Sequence, residues 1–201
     1  MGASQSTPEM SAIQSDILAA ALHCLVTFGY AGTTTVAVQR EAKVSRGSLL
    51  HYYPRREDLL VGAARRAMNL WLDEMELRVE DLRRLVPDDA HRLEPAIRLR
   101  WHSFHNPVHG AFAELWTASR YNEELRDAVL RQERANRARV EACDARLFGT
   151  YADHPSYSAT LLLLHTSMRG RAESYALVER DWDHDPMIKS WTQLARTVLE
   201  T

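Results

Sequence analysis

The stretch VSRGSLLHYYPRREDLL, Val44 to Leu60, sets Arg46, Ser48, Tyr52, Tyr53, Arg55 and Arg56 around one glycine and one proline. Phenols and hydroxyls donate hydrogen bonds to phosphate oxygens. Guanidinium groups displace the counterions of a nucleic-acid backbone, and an arginine can grip a guanine edge with two parallel hydrogen bonds. Gly47 forgoes about 1 kcal/mol of helix propensity against alanine, a cost that makes sense where the first turn of a helix must approach another molecule closely. Charge points the same way. From Thr33 to Arg66, seven basic residues (Arg40, Lys43, Arg46, Arg55, Arg56, Arg65 and Arg66) stand against Glu41, Glu57 and Asp58, a local charge of +4 in a chain of formal charge -2. A basic segment in an otherwise acidic chain suits phosphate.

Helices must hold these groups in place. Ile17, Leu18, Ala21, Leu22, Leu25 and Phe28 recur at helical spacing, and Gly29 follows where a helix end favours a left-handed residue. Thr34 or Thr35 can cap a short second helix over Val38 and Ala42, and Ser45 a third one a few residues later. Arg56 to about Leu85 reads as one long helix, with Leu59, Leu60, Ala63, Ala67, Leu70, Trp71, Leu77 and Leu82 inward and a stop before Pro87. Pro95, Pro107, Pro155 and Pro186 open further helical segments, and Gly149 closes an arginine-rich one. TTTVAV is the lone β-branched cluster, and it runs straight into QREA. The expectation is an all-α fold of about nine helices. A three-helix helix-turn-helix unit occupies 1–55, and a helical ligand-binding and dimerisation domain occupies 56–201.

In order and spacing, ILAAALHCLVTFGY, TTTVAVQREA and KVSRGSLLHYYPRREDLL resemble the N-terminal pattern of the tetracycline-repressor-like (TetR) transcriptional regulators, over about a quarter of the chain. The resemblance implies phosphate contacts from Thr35, Tyr52 and Arg56, and a base-reading surface of Arg46, Gly47, Ser48 and Leu50. It implies packing for Tyr53. The sequence departs from the family pattern at three places: Lys43 where the turn usually has glycine, Leu50 where a tyrosine is usual, and Arg55 where a small capping residue is usual. The family also implies a near-palindromic double-stranded operator, a homodimer, and a repressor released by a small molecule.

Beyond Leu60 the resemblance is one of architecture. Leu161, Leu162, Leu163, Leu164, Met168, Tyr175 and Val178 spread around more than one side of a helix, so burial on two sides is expected. Paired with Ile188, Trp191, Leu194, Ala195, Val198 and Leu199 of the final helix, they suit a four-helix dimer interface, with Leu161, Leu164, Met168, Trp191, Leu194 and Val198 as its expected residues. Trp71, Trp101, Phe104, His105, Phe112 and Trp116 are the expected lining of a pocket for a small apolar or amphipathic ligand.

Other function classes find little support. His102, His105 and His109 are interrupted by Asn106-Pro107 and have no cysteine near them, so no metal or other cofactor is expected. A helical enzyme with His105 or His165 as base, beside Ser103 or Ser167, would need an orienting carboxylate that no motif groups with them, so no catalytic residues are assigned. A helix-turn-helix regulator without an inducer is the nearer alternative. Cys24 and Cys143 are read as reduced thiols, and MGASQSTPEM lacks the regions of a secretory signal. A cytoplasmic protein without a membrane partner is expected.

Overall fold

A computed structural model describes residues 11–175, 177–178 and 180–201. Among the described residues the chain is all-α: α1 (Ala12–Gly32), α2 (Thr35–Glu41), α3 (Arg46–Tyr52), α4 (Arg56–Leu85), α5 (Leu93–Ser103), α6 (Pro107–Ser119), α7 (Glu123–Phe148), α8 (Tyr157–Tyr175) and α9 (Met187–Leu199), with short 3-10 turns at Asp89–His91 and Gly149–Asp153.

The helices form two compact units. Unit one comprises the chain up to Ala67 together with Ala111–Gln132. Ile17, Leu18, Ala21 and Cys24 of α1 pack with Val38, Leu49, Tyr53, Leu59 and Ala63. A second cluster joins Leu25, Leu60 and Ala64 to Ala111, Leu115, Leu125 and Val129. The division therefore differs from the expected boundary after residue 55. The first turns of α4 pack in both clusters and most of α6 in the second, so they belong with the N-terminal helices.

Ser11 caps α1 by accepting from the Gln14 amide. The helix breaks at Gly29, whose φ of 66° and ψ of -177° fall in an extended region open essentially to glycine, rather than in the expected left-handed helical one. The chain leaves its helical path there, and Phe28, expected inside, stands exposed. By length and mean hydropathy α1 is apolar enough to cross a membrane. Ile17, Leu18, Ala20, Ala21, Cys24 and Leu25 are instead buried in this unit.

Unit two comprises Met68–Gly110 and Glu133–Thr201. Its core gathers Trp71, Leu72, Met75 and Val79 of α4, Leu93, Ile97 and Trp101 of α5, and Leu147 and Phe148 of α7. Leu164 and Met168 of α8 and Ile188, Trp191 and Ala195 of α9 complete it. The inner stripe of α4 runs through Trp71, Met75 and Val79 at four-residue intervals, which leaves Leu70 and Leu77, expected inside, on the solvent side. Arg139 of α7 meets Glu76 at 2.7 Å and Asp73 at 2.5 Å on α4, and Arg146 meets Glu80 at 2.8 Å. Gly149 ends α7 with a φ of 61°.

Three expected interface residues prove to be interior. Leu164, Met168 and Trp191 are buried within the protomer's own core, so they have no surface left to give a partner. Leu161 and Val198 are partly buried against the same core. Leu194 is exposed, as are Leu162 and Leu163 at 67% and 62%.

Candidate DNA-reading helix and ligand cavity

Thr34, rather than Thr35, caps α2: its hydroxyl accepts from the Ala37 amide at 3.1 Å. The exit is a Schellman turn, with the Val44 amide donating to the Gln39 carbonyl and the Lys43 amide to that of Arg40. Lys43 sits at the left-handed position with a φ of 54°, so the turn keeps its usual geometry and strains a lysine. Ser45 then caps α3 by accepting from the Ser48 amide at 3.1 Å. Leu49 anchors α3 in the core, while Arg46, Gly47, Leu50 and His51 face outward. Thr35 and Ser48 are half-buried. A Cβ added at Gly47 would meet nothing closer than the Ser45 hydroxyl, 3.9 Å away. The fold itself does not require a glycine there.

The two phenols divide their work. Tyr52 accepts a hydrogen bond from the Ser11 hydroxyl at 3.1 Å, which leaves its own O–H free to donate. Tyr53 is buried, accepts from Gln14 Nε2 at 3.3 Å, and has its phenol pKa pushed up by burial. Gly62 makes room for it, since a Cβ there would press on Leu18 and the Tyr53 ring at 3.1 and 3.3 Å.

The two arginines correct the sequence reading. Arg56, expected on phosphate, turns inward: Nε donates to the Thr33 carbonyl at 2.8 Å, Nη2 donates to the Tyr30 carbonyl, and the guanidinium lies over the Tyr30 ring. These acceptors are the orphan carbonyls of the chain leaving Gly29, which a cation satisfies better than water in a half-buried site. Arg55 grips Asp58 with two 2.9 Å bonds and reaches Glu124 at 3.1 Å. Its hydrogen bonds hold the Asp58 carboxyl below its usual pKa.

In unit two a cavity of about 310 Å³ lies against Trp71 and Met75 of α4 and Ser103 of α5. Its rim carries the Glu74–Arg78 ion pair at 2.5 Å and two histidines. His102 stands 3.4 Å from Asp183, and burial holds its pKa below the ordinary value. His105 stacks on Trp182 with ring centres 4.6 Å apart. Of the six expected lining residues, only Trp71 and His105 border this cavity. Trp101 is core, stacked on Trp182 and donating from Nε1 to its carbonyl at 2.9 Å. Phe104 is buried beside His109. Phe112 and Trp116 belong to unit one.

A polar cluster also lies inside unit two, unanticipated from the sequence. Arg100 of α5 donates from Nη2 to Asp144 of α7 at 2.7 Å and from Nε to His165 Nε2 of α8, also at 2.7 Å. Because that histidine nitrogen accepts, His165 is neutral, and burial beside Arg100 and Arg169 lowers its pKa to about 2. Burial and the same arginines lower His109 to about 4, whereas burial pushes the Asp144 carboxyl up against the pull of Arg100. Among the described residues His109 Nε2, Asp144 Oδ1 and the Tyr157 hydroxyl are buried without a hydrogen-bond partner. Among the same residues no group of three or more histidine, cysteine or carboxylate side chains is placed to hold a metal.

A capped two-helix turn that presents α3 is a helix-turn-helix arrangement. The N-terminal segment 17–63 matches the family of bacterial regulatory proteins of the tetR type. Among curated relatives, the transcriptional regulator RutR of Escherichia coli strain K12 is 35% identical over 72 residues. That stretch covers 36% of this chain and spans about a third of the relative, 34%. Similar solved structures include the fatty acid degradation regulator FadR of Bacillus halodurans, at TM-score 0.67 and 13% identity, over 93% of this chain and 96% of that one. The multidrug binding protein EbrR, in complex with imidazole, is similar at TM-score 0.61 and 20% identity, over 96% of both chains. At these identities the likeness is one of fold.

Proposed function

We propose that the protein is a cytoplasmic, homodimeric transcriptional repressor that binds a near-palindromic DNA operator through α3 and is released from it by a small molecule. The observation that carries this reading is the first turn of α3. Arg46, Gly47 and Leu50 face outward on a helix pinned by Leu49 and capped by Ser45, and the glycine has no internal reason to be there. A bare first turn admits the helix to a major groove, where Arg46 reads a guanine edge and Leu50 meets a thymine methyl. Tyr52 donates its free O–H to a phosphate, and Arg40, Lys43 and Arg46, exposed near it in sequence, supply the electrostatic attraction. Leu162, Leu163 and Leu194 are the exposed apolar residues of α8 and α9 that a twin subunit would cover.

The effector site in this reading is the cavity at Trp71, whose volume lies at the lower end of small-molecule pockets. That EbrR was solved with imidazole and with proflavin supports a ligand-responsive role for this architecture. Selection of bound duplexes from a random DNA library tests the central claim. Enrichment of one near-palindrome with half-sites one helical turn apart, bound more weakly as salt rises, is the expected result. A library that stays random after repeated selection would overturn it.

A further inference from the structure

The buried cluster around Arg100 goes unused in the DNA-reading role, and it carries information about the ligand. Three of its polar atoms, His109 Nε2, Asp144 Oδ1 and the Tyr157 hydroxyl, lack a protein partner among the described residues. Buried polar atoms are ordinarily paired, and each unpaired one calls for an explanation. They gather around one ion pair: Arg100 holds the other oxygen of the Asp144 carboxylate at 2.7 Å. Aromatic surface borders His109 and Arg100. The Trp71 ring lies 5.2 Å from His109 and 5.7 Å from the Arg100 guanidinium, and Phe104 lies 4.8 Å from His109. Trp71 also lines the cavity of about 310 Å³. Trp71 therefore borders the cavity, one unpaired group, His109, and the guanidinium that holds Asp144.

We infer that the cavity and this cluster are two parts of one effector site, which selects a flat, uncharged molecule carrying a hydrogen-bond donor beside an acceptor, as in an aryl amide. The inference rests on the ligand-responsive reading above and specifies its chemistry. Asp144 Oδ1 takes the donor, and the Tyr157 O–H gives to the acceptor. Trp71 and Phe104 supply the flat walls, and a turn of the Trp71 ring joins the cavity to the cluster. Charge selection follows from the ion pair. A cation would face Arg100 and Arg169 and offer the Tyr157 O–H no acceptor, an anion would offer Asp144 Oδ1 no donor, and a neutral amide supplies both.

Benzamide, benzoate and benzamidine share one shape and differ in charge, so they serve as probes of the full-length protein. Benzamide is expected to raise the melting midpoint in a dose-dependent way at millimolar concentration, with the two charged analogues at least about tenfold weaker. Tyr157→Phe gives the second arm, because it removes only a hydroxyl that has no partner in the protein. The variant should melt higher than wild type without ligand, yet bind benzamide roughly 2- to 13-fold more weakly, as expected for one neutral hydrogen bond. Loss of a hydroxyl serving structure would lower the melting point and leave benzamide binding unchanged. Equal response to the three probes, no response to benzamide, or a Tyr157→Phe protein that melts lower and binds benzamide unchanged would each overturn the inference. Operator binding by the ligand-free protein is measured in parallel and tests the regulator reading independently of these outcomes.

Discussion

The Arg56 guanidinium carbon lies 4.2 Å from the centre of the Tyr30 ring, and its Nε donates to the carbonyl of Thr33. The first residue of α4 thus closes the exit of α1. Arg56→Ala should cost unit one about 2–4 kcal/mol, because the substitution removes charge-assisted hydrogen bonds and a cation–π interaction at once. Thermal unfolding would show the effect. At temperatures where the variant remains folded, its salt slope on DNA should match that of wild type. A slope reduced by about one unit, with stability intact, would return Arg56 to a phosphate.

Arg46 and Tyr52 should separate by their effects on DNA. Arg46→Ala is expected to relax base preference at one position by about 1–3 kcal/mol. Tyr52→Phe should weaken binding to all sequences alike, since a phosphate contact carries no base information. Competition titrations against single-base operator variants distinguish these outcomes, and a uniform loss from Arg46→Ala would remove it from base reading.

Lys43 occupies a left-handed position that both Schellman hydrogen bonds depend on. Lys43→Gly should stabilise the turn by up to about 1 kcal/mol, the strain relieved exceeding the extra flexibility given to the unfolded chain. It should also weaken DNA binding modestly by removing a cation. A lower melting temperature would mean that the lysine is not strained.

Acid should destabilise unit two through its histidines. His109 and His165 are held neutral in the fold, at about 4 and about 2, and return to the ordinary value of 6.5 when exposed. As pH falls below 6.5 the unfolded chain takes up protons first. The stability present at neutral pH is therefore lost at up to about 1.4 kcal/mol per pH unit for each histidine, down to its folded pKa. Asp58, Glu76 and Asp185, whose carboxyls are held low, lose their contribution only below their unfolded values of 3.8 to 4.5, and Asp144, pushed up, acts in the opposite sense. Comparison with His109→Gln isolates one group. Wild type should lose more stability than the variant between pH 7 and pH 5 in denaturant titrations, and equal losses would contradict the depressed value.

Neighbouring leucines on α8 should answer differently to charge. Leu163→Glu places a carboxylate on an exposed position and should leave the protomer folded while lowering dimer content and operator affinity together. Leu164→Glu buries the same charge in the core and should unfold unit two. Light scattering and circular dichroism read the two effects. A Leu163→Glu protein that stays dimeric would move the interface elsewhere.

Local chemistry made much of the fold legible. Hydroxyls at Thr34 and Ser45, a glycine at 149 and the apolar spacing of α4 each fix an element from a few neighbouring residues, and the structure uses all of them. Side-chain direction was harder. α8 is apolar around much of its circumference, so its pattern could not separate Leu164 and Met168, which face the core, from Leu162 and Leu163, which face solvent. Long-range pairing left no trace at all. Arg100 and Asp144 are 44 residues apart, and each reads alone as an ordinary charged position on a helix. Arg56 misled for a related reason: its type suited phosphate, but its acceptors are carbonyls 23 and 26 residues earlier, set out by the break at Gly29.

The open space around Gly47 sets two selections against each other. A library of variants sorted only for resistance to heat or protease would drift toward alanine at this position, because a methyl group fits and a helix favours it. The same library sorted for operator occupancy in cells would hold glycine. Sequencing both pools would then map, position by position, which residues of α3 serve the protein's own architecture and which serve the molecule it meets.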